Sequence, residues 1–255
     1  MTLSKREERN PRPTGKIFNL ASMRASGGSI WAKVIPFAGM RRFIIQKSRK
    51  AIYLFQGIVS TIGYKLFGIE FISRQLETSD SYMTPVLLGR YGARLGRNIN
   101  FKGGILIDNA SKDEDATNDF SHLIIGNDCY IGKKVFFDLP NRIDIEDEVV
   151  IGAGVSVFTH ADCGKRIMSR YFPRKTGPVK IGRGSWIGAN ATILCNVTIG
   201  EKCVVAAGSV VTRSFGPNEI VGGVPAQKMG EISERELRTK IAAGESDGGS
   251  VEIET

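Results

Sequence analysis

IGRGSWIGANATILCNVTIGEKCVVAAGSVV, Ile181 to Val211, places an aliphatic residue at every sixth position: Ile181, Ile187, Ile193, Ile199, Val205 and Val211. A smaller residue follows four places later, at Ser185, Ala191, Val197, Cys203 and Ser209, and glycine follows directly at 182, 188 and 200. A period of six suits neither a helix, which repeats at 3.6, nor one long strand, which alternates at two. It suits short flat strands joined by tight turns and stacked coil upon coil. One aliphatic from each side then points inward, and glycine relieves a corner where a side chain would collide. Three sides make a triangular coil of about 18 residues, and stacked coils bury a continuous aliphatic column.

The same beat extends toward the N-terminus. It falls on Leu95, Phe101 and Ile107, then on Ile125, Ile131 and Phe137. A two-residue slip at LPNR resets it to Ile145, Ile151 and Val157, with Cys129, Val135, Val149 and Val155 as the smaller partners. Two interruptions break it. Asp108–Leu123 (DNASKDEDATNDFSHL) is acidic and polar, and Thr159–Val179 (THADCGKRIMSRYFPRKTGPV) is basic and aromatic. Each reads as a coil opened to let a loop leave. His160, one of two histidines in 255 residues, stands at the second break, and His122 in the first reads as structural or solvated.

Outside the repeat the chain changes character. Residues 1–30 are polar, with NPRPTG and ASGGS, and read as a disordered lead. From Trp31 to about Ile72 apolar residues recur at three- and four-residue steps, and Arg41, Arg42, Lys47, Arg49 and Lys50 crowd the first half. Residues 31–87 are therefore expected as a basic amphipathic helical segment, 88–229 as the coil domain, and 230–255 as a short charged helix (EISERELRTKIAAG) with a frayed tail. The net charge of +9 is uneven: residues 1–75 hold 14 Lys/Arg against 3 Asp/Glu, and the remainder 21 against 23. That split excludes a globally basic nucleic-acid binder and predicts an anionic surface facing the first segment alone. The longest uncharged run of the helical segment, Ala51–Tyr64, is shorter than the roughly 20 residues a bilayer span needs. Peripheral membrane contact through residues 31–72 is one expectation, and packing on the main domain or a neighbouring subunit is the other. Cys129, Cys163, Cys195 and Cys203 show no CxxC spacing and MTLSKREERN has no signal-peptide pattern, which together predict a cytoplasmic protein.

The repeat, SVFTH with its loop, and the SWIG, AAGSVVTR and GGVPA elements together resemble the left-handed β-helix (hexapeptide-repeat) acetyltransferases. Within that family the likeness is to the maltose, galactoside and exopolysaccharide O-acetyltransferases. It covers roughly residues 88–231 and is densest from Ile145 to Met229. The resemblance implies an all-β core formed by a left-handed parallel β-helix, acetyl-CoA as acyl donor, a sugar or glycan acceptor in polysaccharide biosynthesis, and a homotrimer. It also implies that His160 is the general base that takes the proton of a sugar hydroxyl attacking the thioester. An imidazole suits that task, because its reference pKa of about 6.5 leaves it free to accept a proton near neutrality.

The remaining site residues follow from the resemblance one by one. Trp186 matches a tryptophan that lines the coenzyme groove, and Ala189 and Ala207 match positions whose backbone runs beside the pantetheine arm. Arg213 stands where the family has lysine, and Lys228 lies near a basic position; both are implied to meet the coenzyme phosphates. Gln227 replaces the expected arginine. Asp138 occupies the place of the family's acceptor-site asparagine, where an aspartate can orient the imidazole or hold sugar hydroxyls; with Asn141 close by, both are carried as acceptor-binding residues. No metal is expected, since two histidines fall short of the three that the zinc branch of this fold needs. Two alternatives stay open: an acetyltransferase acting on a small non-sugar molecule such as an antibiotic or serine, and a non-catalytic trimeric scaffold.

Overall fold

Every aliphatic on the six-residue beat lies in a strand, and those strands stack into three parallel sheets. The computed structural model describes residues 35–233, with side chains from 51 onward. The expected lead at 1–30 and the residues from 234 to 255 lie outside the described residues. Strands are numbered in chain order. One side of the coil holds β1 (Arg94–Leu95), β4 (Leu123–Ile125), β7 (Ile143–Ile145), β12 (Val179–Ile181) and β15 (Thr198–Ile199). The second holds β2 (Asn100–Phe101), β5 (Tyr130–Ile131), β8 (Val150–Ile151), β13 (Trp186–Ile187) and β16 (Val204–Val205). The third holds β3 (Leu106–Asp108), β6 (Phe136–Asp138), β9 (Ser156–Val157), β14 (Thr192–Ile193) and β17 (Val210–Val211). The architecture is the expected left-handed parallel β-helix.

The register explains the beat. Ile125 stacks on Ile145, Ile181 and Ile199; Ile131 on Ile151, Ile187 and Val205; Phe137 on Val157, Ile193 and Val211. All twelve are buried, as are the smaller partners Cys129, Val135, Val149, Val155, Ser185, Ala191, Val197, Cys203 and Ser209. Removing one such aliphatic from water contributes about 1.5–3 kcal/mol, so stability accumulates coil by coil. The glycine after the aliphatic is required by proximity. A Cβ at Gly152 would stand 2.6 Å from the Ala189 nitrogen, and one at Gly188 would stand 2.5 Å from that of Ala207. A second special position lies three residues after the aliphatic. Asp128, Lys134, Glu148, Gly154, Gly184, Asn190, Asn196, Lys202 and Gly208 all turn the corner with φ between 54° and 70°.

The helical segment resolves into α1 (Ile35–Phe67), α2 (Ile69–Glu77) and α3 (Met83–Arg90). The chain divides into two units at Ala51, within α1. In the second unit α1 turns its small and polar residues inward. Gly63 sits against the Phe71 ring, and the Ser60 hydroxyl, itself buried, bonds Gln75 Oε1 at 2.7 Å. Ile69, Ile72 and Leu76 of α2 are buried, and the helix packs on β3.

The structure departs from expectation at both ends of the coil domain. Residues 88–90 belong to α3, so the coils begin at Arg94. At the far end, Gly230 and Glu231 close a strand rather than open a helix. β18 (Glu219–Gly223) pairs parallel with β16, the chain reverses after Gly223 (φ 96°), and β19 (Ala226–Glu231) returns antiparallel on β18. The rest of the expected charged helix lies outside the described residues.

Candidate active site

Where β9 ends, the chain leaves the coil instead of turning its corner. Thr159 and His160 follow, and β10 (His160–Ala161) pairs antiparallel with β11 (Lys175–Thr176), so the loop returns beside the histidine it left. The His160 ring is fixed from below by the preceding coil. Its Nδ1 lies 2.7 Å from Asp138 Oδ2, which also accepts the backbone N–H groups of Thr159 (2.9 Å) and His160 (3.1 Å). The other oxygen, Oδ1, accepts the Asn109 Nδ2 group at 2.7 Å. With backbone donors already on Oδ2, the carboxylate acts as acceptor, so His160 Nδ1 carries the proton and Nε2 keeps its lone pair.

Asp138 is 1% exposed. Buried there, it holds the imidazole, one of the two roles the sequence leaves open to it beside holding acceptor hydroxyls. Asn141 is likewise engaged with the protein. Its N–H donates to the Thr159 hydroxyl (2.9 Å) and its Nδ2 donates to Thr176 (3.3 Å), which locks the start of the loop to its return strand. The buried Thr159 hydroxyl donates in turn to the Asp138 carbonyl at 2.8 Å. His122 bonds the Leu139 carbonyl through Nδ1 at 3.1 Å, a structural tie as expected.

His160 lines an open groove of about 1200 Å³ with Phe158, Leu194, Cys195, Asn196, Thr212 and Arg213. These positions are the corners between the third and first sheets, coil after coil. Of the residues implied for the coenzyme, Arg213 alone lies in this groove. Its guanidinium stacks 5.0 Å from the Phe215 ring, and its Nη2 donates to Gln227 at 2.8 Å. The glutamine that replaces the expected arginine therefore positions the neighbouring one. Lys228 is paired with Glu219 (3.2 Å) and Glu231, which leaves its charge compensated. Trp186 stands exposed on the second sheet, and Ala189 and Ala207 sit at the corners between the second and third sheets. In one chain the third sheet separates those residues from His160.

Three participants were not anticipated. Asn109 and Thr159 complete the network around Asp138. Arg174 joins the two excursions: it bonds Asp113 from the acidic one (2.7 and 3.0 Å) and Asp162 from the basic one (2.8 Å), with Asp115 at 2.9 Å. Burial pushes the Asp113 carboxyl upward, but the Arg174 contacts outweigh it and hold the group below the usual carboxylate range. Asp162 is held low chiefly by the Arg174 bond, and Arg174 itself is raised by its carboxylates. Among the described residues no cluster of three or more His, Cys, Asp or Glu is arranged to hold a metal ion.

The profile described as "Bacterial transferase hexapeptide (six repeats)" matches residues 178–213, and "Hexapeptide repeat of succinyl-transferase" matches 122–159. The galactoside O-acetyltransferase of Escherichia coli is 29% identical over 116 residues, which are 46% of this chain and 57% of that protein. Serine acetyltransferase 2 of Arabidopsis thaliana is 34% identical over 109 residues, 42% of this chain and 32% of that protein. The chain thus spans a little over half, or less, of these curated relatives. Among solved structures, a hexapeptide-repeat acetyltransferase from Vibrio cholerae superposes with a TM-score of 0.55 at 24% identity, covering 64% of this chain and 88% of that one. A galactoside acetyltransferase in complex with coenzyme A gives 0.51 at 22%, covering 66% and 80%. These structural likenesses carry the fold. The repeat register, the two profile matches and the sequence relatives together make the coil domain of this chain similar to the hexapeptide-repeat transferases.

Proposed function

We propose that the protein is an acetyl-CoA-dependent O-acetyltransferase that modifies a hydroxyl of a sugar, works in the cytoplasm in glycan or polysaccharide biosynthesis, and assembles as a homotrimer. The observation that carries this reading is the His160–Asp138 pair at 2.7 Å on the wall of a long open groove. With the Nδ1 proton held by Asp138, Nε2 accepts the proton of a hydroxyl placed in the groove. The hydroxyl oxygen attacks the thioester carbonyl carbon, the carbon–sulfur bond breaks, and the imidazolium returns its proton to the departing thiolate. Both products leave neutral at the reacting atoms, and His160 ends as it began.

The donor fits the groove's chemistry: an apolar floor at Leu194 and Phe158, and a cation at Arg213 suited to phosphate. Relatives support the choice, since one neighbour is named as a complex with coenzyme A and one relative as a galactoside O-acetyltransferase. For the acceptor, the Phe136 and Phe158 rings lie 5.2 Å apart beside the groove, and Tyr171 and Phe172 stand exposed on the loop. Aromatic faces of this kind stack on sugar rings. Trp186, Ala189 and Ala207 then serve a site at the seam, facing the His160 groove of a neighbouring subunit.

The test is acceptor-dependent release of free CoA, with candidate sugars screened by mass spectrometry for an added acetyl group. His160→Ala is expected to lower turnover by about 10²–10⁴-fold with the fold intact. Undiminished turnover in that variant would remove His160 as the base. No acetylated sugar with wild-type protein would instead favour the scaffold.

A further inference from the structure

Helix α1 is apolar on the side that faces away from the protein. From residue 51 to 67 its inner face is the one with polar and small groups, Tyr53, Gln56, Ser60 and Gly63. The outward face presents Leu54, Phe55, Ile58, Ile62 and Leu66, spaced by three and four residues and therefore on one stripe. All five are exposed, Leu54 at 70% and Phe55 at 66%. Lys65 is the single charge among them, and its long stem can lie along an apolar layer while the ammonium reaches out of it. An amphipathic helix in water buries its apolar stripe; this one exposes it.

The adjoining sequence says what covers the stripe. Between Glu8 and Glu70 there is no acidic residue, and eleven Lys or Arg occur. Five of them, Arg41, Arg42, Lys47, Arg49 and Lys50, precede the stripe in the same helix α1. A second copy laid stripe to stripe would bring two such segments together with no carboxylate between the flanking charges. An anionic surface with an apolar interior satisfies both properties at once. No described helix is long and apolar enough to cross a membrane.

We propose that α1 lies in the plane of an anionic lipid surface, with Leu54, Phe55, Ile58, Ile62 and Leu66 inserted below the headgroups and the preceding basic residues paired with them. Helices of this type sink their apolar face about 5–10 Å into the headgroup and acyl boundary, and electrostatic attraction to anionic lipid adds to the burial. This goes beyond the transferase reading and does not depend on it.

The full chain is sedimented with phosphatidylcholine vesicles, with and without phosphatidylglycerol, at low and high salt. Binding is expected with phosphatidylglycerol, weakened by salt. The double variant Phe55→Glu/Ile62→Glu, which alters two exposed side chains outside the core, is expected to lose about tenfold or more in vesicle affinity. Its circular dichroism and coil stability should match wild type. Failure of the wild type to bind phosphatidylglycerol vesicles would overturn the proposal, as would undiminished binding by the variant. A fall in oligomeric mass of the variant without lipid would also overturn it, by showing that a second copy of the chain covers the stripe.

Discussion

A buried carboxylate with four donors around it is a stiff object, and the reactive imidazole takes its orientation from that stiffness. Asp138 holds His160 Nδ1, while Asn109 holds Asp138 from the opposite side in a left-handed backbone conformation, φ 54°. Asn109→Gly is the clean probe, since glycine keeps that conformation and removes only the amide. It leaves a buried carboxylate oxygen without a partner, so a loss of about 1–3 kcal/mol of stability is expected in urea unfolding. Asp138→Asn should leave the chain folded and lower kcat by about 10²–10⁴-fold with the donor KM little changed, because the wrong imidazole tautomer then faces the groove. Equal stability of the Asn109→Gly variant, or a normal kcat for Asp138→Asn, would show that the network does not position the ring.

At the scale of elements, the two excursions that interrupt the coils are one substructure, joined at Arg174. Asp113 and Asp162 ionise below the usual carboxylate value in the folded chain, so below neutrality the unfolded chain binds more protons than the folded one. Their contribution is complete above the ordinary pKa of about 3.9 and is lost as pH falls through the lowered values. Arg174→Ala reverses the sign. It leaves Asp113, Glu114, Asp115 and Asp162 facing one another, and their ionised forms become the disfavoured ones. The variant is expected to be less stable than wild type near neutral pH in urea unfolding, with the gap narrowing toward pH 4. A gap independent of pH would mean that Arg174 acts through packing alone. The coils were readable because each strand's inward residue recurs at a fixed step and stacks on its own repeat. The excursions were not, since Arg174 meets Asp113 across 61 positions and Asn109 meets Asp138 across 29. One clue did exist. The beat aligns Asp108 with Asp138 in adjacent coils, which puts the residue after Asp108 beside the carboxylate. The β18–β19 hairpin was misread for a different reason: the acidic and basic residues of EISERELR outweighed a strand that ends only at Glu231.

At the scale of the whole molecule, the residues matched to the coenzyme fall on two sides of the prism. His160 and Arg213 lie at the corners between the third and first sheets, while Trp186 stands on the second sheet. A tilt or a loop movement cannot bring them together, because the third sheet is a rigid face held by its ladder. If both groups serve one donor, they come from different chains, and a closed ring of three supplies each groove with a neighbour's second sheet. Light scattering should then return three times the chain mass of 27.8 kDa. The sharper measurement is complementation. His160→Ala and Trp186→Ala proteins, each weakened alone, are unfolded together and refolded as mixed trimers. A seam then joins an intact His160 to an intact Trp186 in about a quarter of sites, and activity should rise to that fraction of wild type. A site built within one chain gives no rise on mixing, because no chain in the mixture carries both residues.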